Sequence, residues 1–146
     1  EGAFGLIINR PLGKMPIREL LEPLGIGKKD DAGPSDEIVN MRVGGPVDFR
    51  TGFILHSDDF KSKAPICRHG ALTVTADSGV LQAISNGEGP KRKIIFFGYA
   101  GWGAGQLESE LAQNAWTTEP AQPELMFADN IETIWEQVIK RTGIDL

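Results

Sequence analysis

The chain has 146 residues, about one domain's worth and enough to bury roughly two-thirds of the surface that the unfolded form exposes. Fifteen Lys and Arg against twenty Asp and Glu leave a net charge of −5 with a pI near 5.0, which disfavours a free-standing nucleic-acid binder that depends on a positive field. An apolar fraction of 40% and a charged fraction of 24% are ordinary globular values and exclude disordered, collagen-like and fibrous classes.

The chain opens without Met and almost at once enters the β-prone run Phe4-Gly5-Leu6-Ile7-Ile8, so we expect a domain that lacks its natural N-terminal strand segment. A strand over 3–8 should stop at Asn9-Arg10-Pro11, because proline removes a ladder donor and extends its predecessor. Ile17, Leu20, Leu21 and Leu24 follow the i, i+3, i+4, i+7 spacing of a short amphipathic helix, with Pro16 at its start and Gly25 at its stop. Residues 27–36, with Lys28-Lys29-Asp30-Asp31 and Gly33-Pro34, form a predicted solvated loop. Strands are expected over Ile38–Val43 and Gly52–His56, pairing with each other across Pro46–Thr51. Leu72, Val74 and Ala76 alternate with Thr73 and Thr75, the pattern of a strand with one buried face. Asp77-Ser78 should cap a helix through Ile84 that Asn86-Gly87 closes.

Ile94-Ile95-Phe96-Phe97 is apolar on both faces, as a central strand requires. It runs into a glycine cluster, with Gly98, Gly101, Gly103 and Gly105 within eight residues. A helix is predicted over Gln106–Ala115, with Leu107, Leu111 and Ala115 on one stripe and Glu108 and Glu110 near the positive end of its dipole. Glu124–Ala128 reads as a short strand. Asp129 with Glu132 three residues on caps a final helix, whose buried face should be Ile131, Ile134, Trp135, Val138 and Ile139 before Gly143. The mixture of hairpin-like neighbours and later strand–helix alternation predicts one α+β domain over 1–146 with a mixed β-sheet and packed helices. A three-layer α/β arrangement with a doubly wound sheet is the alternative.

The segment from Gly98 to Glu108 lies between a buried strand and a helix, where backbone amides can cradle an anion. The dinucleotide pattern fails, because a third glycine after Gly101 and Gly103 is replaced by Gln106. The phosphate loop of nucleotide hydrolases fails too, with Gln106-Leu107 in place of its Lys and Ser/Thr. The simplest account is a tight strand-to-helix turn on which Tyr99 and Trp102 pack; a partner or ligand surface built on that turn is the functional account. His56, His69, Cys67, Asp58 and Asp59 are the only conceivable metal or thiol-catalysis set, but no spacing groups them, and we assign neither catalytic nor metal residues. Lys91-Arg92-Lys93 reads as a solvated loop able to touch a phosphate. The single cysteine excludes an internal disulfide and fits a reducing compartment. No apolar run reaches the length of about 20 residues that a membrane helix needs, and no targeting pattern opens the chain, so a cytoplasmic location with no membrane contact is expected.

Gly5-Leu6-Ile7-Ile8-Asn9-Arg10-Pro11, Gly44-Gly45-Pro46-Val47 and above all GYAGWGAGQLESELAQNAW from Gly98 to Trp116 resemble the bacterial YqgE/AlgH family, with weaker matches over essentially the whole chain. Ala104 departs from it, since family members often carry proline there. The resemblance implies an α+β fold and a cytoplasmic bacterial protein from a family labelled as transcriptional regulators. It supplies no agreed activity, cofactor or catalytic residue. Together with the bottom-up reading it selects Asn9, Arg10, Gly44, Gly45, Gly101, Trp102, Gly103, Gly105, Gln106 and Asn114 as candidate partner- or ligand-binding positions. Because this signature is rich in Gly and Trp and poor in nucleophile–base pairs, we expect a non-enzymatic protein without a cofactor. It would act through an unidentified protein partner, with no direct DNA binding. The competing expectation is an enzyme or a small anionic-ligand binder using the Gly98–Gln106 turn, with Glu108 and Glu110 moving protons.

Overall fold

The computed structural model describes residues 1–25 and 37–144, so the loop expected over 27–36 lies outside the described residues. In chain order the elements are β1 (Ala3–Gly5), β2 (Pro11–Pro16), α1 (Ile17–Leu21), β3 (Ile38–Val43), β4 (Val47–Ser57), β5 (Pro65–His69), β6 (Leu72–Thr75), α2 (Ser78–Ser85), β7 (Lys93–Trp102), α3 (Gln106–Ala112), α4 (Pro123–Met126) and α5 (Ile134–Thr142). Short 3₁₀ turns follow α1 at Glu22–Leu24 and precede α5 at Ile131–Thr133.

The apolar run that begins β7 is central because both of its faces are covered. Six strands lie in the order β2-β3-β7-β4-β6-β5, and β1 pairs separately with the far end of β7. β7 runs parallel to β3 and antiparallel to β4, which makes the sheet mixed and the fold α+β, as expected. Alternation along the strands sorts the core into two layers. Ile54 and Ile95 pack with Val39 and Met41 beneath Ile17 and Leu21 of α1 and Val80 and Ile84 of α2. On the opposite face Phe53, Leu55, Leu72, Ile94 and Phe96 meet Leu6, Ile8, Met126 and Phe127. The Asp77 carboxylate caps α2 by accepting from Gly79 N–H at 2.8 Å, as its position predicts.

Tertiary context redraws several predicted elements. The strand over 3–8 shortens to β1, and the chain after Asn9 forms β2 on the sheet edge, where Pro11 costs no ladder bond. β3 and β4 do not pair with each other, since β7 lies between them. β6 is buried on both faces, with Thr73 and Thr75 as covered as Leu72. Cys67 and His69 belong to an exposed edge strand, β5. Residues 124–128 are not a strand: Pro123 opens the short helix α4, where its fixed φ suits the first turn. Helix α3 stops at Ala112 and buries no residue fully. Asp129 caps nothing, the turn into α5 starting at Asn130 without a side-chain cap bond. Trp135, expected in the core, is 56% exposed, and only Ile134 of that helix is fully buried.

Because β3 and β4 are consecutive yet flank β7, the Gly44-Gly45-Pro46 link has to cross the β7 backbone. It does so at contact distance. A Cβ on Gly44 would lie 2.3 Å from the Gly98 carbonyl oxygen, and one on Gly45 would lie 2.1 Å from the Tyr99 carbonyl carbon. Gly98 itself sits at φ +76°, and its own Cβ would meet the Gly45 oxygen at 2.5 Å. Gly44 N–H donates to Phe97 O and Gly44 O accepts from Ile7 N–H, both at 2.8 Å, so the crossing also holds the chain that follows β1. Phe4 anchors that chain from the other side, stacked on Tyr99 with ring centroids 5.3 Å apart and edge-on to Phe53 at 5.0 Å.

Arg42, next to this link on β3, is buried and binds backbone rather than a carboxylate. Its guanidinium donates to Ile8 O at 2.7 Å, Met126 O at 2.8 Å and Ala128 O at 3.2 Å. Burial lowers its pKa, and the Asp129 charge opposes that shift; a guanidinium remains protonated regardless. One buried cation therefore clamps the segment before β2 and the end of α4 onto the sheet.

Candidate functional site

Beyond the crossing, β7 continues through Tyr99-Ala100-Gly101-Trp102 beside β1, with Ala3 opposite Trp102 and Gly5 opposite Ala100. Only Gly103–Gly105 form the turn, shorter than the expected Gly98–Gln106 turn because the strand absorbs its first half. Gly105 takes a left-handed φ of +76° and leads into α3. Gln106 and Glu110 are four apart and share a helix face. Gln106 Oε1 accepts from Gly103 N–H at 3.0 Å while its Nε2 donates to Glu110 Oε1 at 3.1 Å. After α3, Asn114 adopts a left-handed φ of +59°, with its N–H on Leu111 O at 3.1 Å, and turns the chain back. This return brings Trp116 over the helix.

Both indoles converge on one carboxylate. Trp102 Nε1 donates to Glu110 Oε2 at 3.2 Å and Trp116 Nε1 donates to the same oxygen at 2.7 Å. The two rings stand edge to face, 5.8 Å between centroids. Trp102 is half-buried, its six-membered ring over Gly5, whereas Trp116 is 48% exposed. The bonds from Trp116, then Gln106, then Trp102 hold the Glu110 carboxyl below the usual range. Glu110 therefore serves as an ionised hub and is ill-suited to pass protons near neutral pH. The anion cradle loses a donor as well, since Gly103 N–H is already engaged.

Of the sequence-selected positions, Trp102, Gly103, Gly105, Gln106 and Asn114 build this corner. Gly44 and Gly45 belong to the buried crossing instead, and Gly101 lies against the Tyr99 ring, where a Cβ would stand 3.3 Å away. Asn9 and Arg10 are exposed on the approach to β2, where Arg10 O accepts from Val43 N–H at 2.9 Å. Glu110 and Trp116 complete the site. The signal for Glu110 was its four-residue spacing from Gln106.

The remaining candidates separate. His56 is wholly buried on the face of Ile54, with Nδ1–H donating to Ser57 O at 2.7 Å, while Cys67 and His69 sit at the exposed edge. Among the described residues no three His, Cys, Asp or Glu side chains converge on a metal position. Two of the three side chains in the basic run are engaged. Lys93 pairs with Glu37 and Arg92 lies 5.1 Å over the Phe127 ring, while the Lys91 backbone N–H donates to Asp59 Oδ2 at 2.9 Å. A cavity of about 400 Å³ opens between β1, β5 and α4, lined by Phe4, Leu6, Ile66, Val74 and Met126 with Cys67 and His69 beside them. Its walls are almost entirely apolar, without the convergent polar groups that give a ligand site its orientation and specificity.

The AlgH-like family model, DUF179, matches residues 1–146. The chain belongs to the AlgH-like family. A UPF0301 protein of Methylocella silvestris is 43% identical over 151 residues, covering 99% of this chain and 72% of its own length. One from Mesorhizobium japonicum is also 43% identical, covering 100% of this chain and 73% of that relative. The solution structure of the AlgH protein from Pseudomonas aeruginosa superposes with a TM-score of 0.76 at 38% identity, covering 99% of this chain and 74% of that one. These relatives are all bacterial. No helix among the described residues is long and apolar enough to cross a membrane.

Proposed function

We propose that this AlgH-like chain is a non-enzymatic protein-binding module of the bacterial cytoplasm whose contact surface is the Trp102–Trp116 corner. The observation that carries the reading is the convergence of two partly exposed indoles on Glu110. Tryptophan dominates the residues whose loss weakens protein interfaces, and a side chain already fixed in place loses little entropy on binding. Any regulatory role would then run through protein contact, since a net charge of −5 gives little counterion release on DNA.

The test is chemical crosslinking in the native host with the wild type beside Trp116→Ala. The reading expects at least one specific crosslinked protein that the variant loses while its thermal unfolding midpoint is unchanged. Identical crosslinks from both would overturn it, and so would a salt-sensitive, sequence-selective complex of the purified chain with duplex DNA.

A further inference from the structure

Given that protein-binding reading, the electrostatics of the corner narrow the partner. Both indole N–H groups are spent on Glu110, so Trp102 and Trp116 present ring surface and no free donor outward. An indole whose N–H is bonded to a carboxylate is richer in π density, and the negative ring face is what attracts a cation. The side-chain donors seen on Glu110, the two indoles and the Gln106 amide, are all neutral, so none of them cancels its charge.

The charge distribution along the chain points the same way. The residues that build the corner, from Gly98 to Trp116, include Glu108 and Glu110 and no Lys or Arg, although the chain as a whole carries fifteen Lys and Arg. An uncharged apolar partner would leave this field unanswered, and an acidic one would be repelled.

We propose that the Trp102–Trp116 corner docks a cationic segment of a partner protein, with an arginine guanidinium laid on the exposed face of Trp116 and its charge answered by Glu110. Arginine suits the site better than lysine because its planar, weakly hydrated group stacks on a ring.

Synthetic Arg-Gly-Ser repeat peptides, with Gln and Glu counterparts of equal length, are titrated into the full chain while its three indole N–H resonances are followed by NMR. The Arg repeat should bind about tenfold more tightly than the Gln repeat and shift the Trp102 and Trp116 signals but not that of Trp135. Trp116→Leu, which keeps the net charge, should weaken the Arg repeat about fivefold. Equal binding of Arg and Gln repeats, shifts that spare the corner indoles, or full affinity in Trp116→Leu would overturn the proposal. If host crosslinks depend on Trp116 while the Arg repeat shows no preference, the protein-binding reading stands and the cationic partner falls. If the Arg repeat binds at the corner but no crosslink depends on Trp116, the cation site stands and that reading falls.

Discussion

The glycines of the crossing and those of the turn after β7 belong to the same family resemblance, yet they answer to different physics. At Gly44, Gly45 and Gly98 two backbones touch, and an added Cβ would fall 2.1–2.5 Å from a main-chain atom of the opposing strand. At Gly103 the nearest atom to such a Cβ is Gln106 Oε1 at 3.8 Å, and at Gly105 nothing lies within 4 Å. The first set is required by a close approach inside the fold. In the second set only Gly105 is constrained, by its φ of +76°, and the space around both is open. Glycine content alone thus does not distinguish a close backbone crossing from an open turn; the space around each glycine does.

The contrast breaks most easily at Gly45. Gly45→Ala has to displace main-chain atoms of Tyr99, and we expect a loss of about 3 kcal/mol or more in denaturant unfolding. A loss below about 1 kcal/mol would mean that the crossing yields and that the comparison is wrong. Arg42→Met comes next, because it leaves the carbonyls of Ile8, Met126 and Ala128 without their donor, and should cost about 2–4 kcal/mol in the same measurement. Gly105→Ala places a side chain at positive φ in free space and should cost about 1 kcal/mol. Gly103→Ala should stay within about 0.5 kcal/mol of wild type, and an effect as large as that at Gly45 would erase the distinction.

The smallest expected effect is electrostatic. Glu110 has a depressed carboxyl pKa, so the stabilisation it gives the corner is present above the pKa of an unfolded Glu, about 4.3. It is lost as pH falls through the lower folded value. Indole fluorescence should therefore change in that acid window in the wild type and not in Glu110→Gln. An identical acid transition in both proteins would show that Glu110 does not hold the rings.

Elements set by local pattern were legible. Asp77-Ser78, the start of the stripe at Ile17 and Leu21 and the doubly apolar Ile94–Phe97 each carry their conformation in a few adjacent residues, whereas Leu24 at the end of that stripe is exposed on a 3₁₀ turn. Elements whose identity depends on a distant partner were not. Pro11 reads as a strand terminator until it is known to lie on an edge. Glu124–Ala128 reads as a strand although Pro123 starts a helix whose Leu125 is buried and whose last turn Arg42 clamps from β3. Trp135 has the right spacing for a core face, but α5 buries only Ile134 fully, so the amphipathic pattern overstated the contact.

The site divides in the same way. Trp102, the left-handed positions at Gly105 and Asn114, and the four-residue spacing of Gln106 and Glu110 are local properties, and the sequence alone determined the family, the mixed α+β class and the location of the unusual segment. Only the tertiary structure decided that Glu110 accepts from two indoles and that Gly44 and Gly45 cross the β7 backbone at contact distance. The physical reason is one of range. Periodicity, capping and backbone preference act over a few residues, whereas the insertion of β7 between β3 and β4 and the return of Trp116 over α3 bring together groups that no local spacing relates.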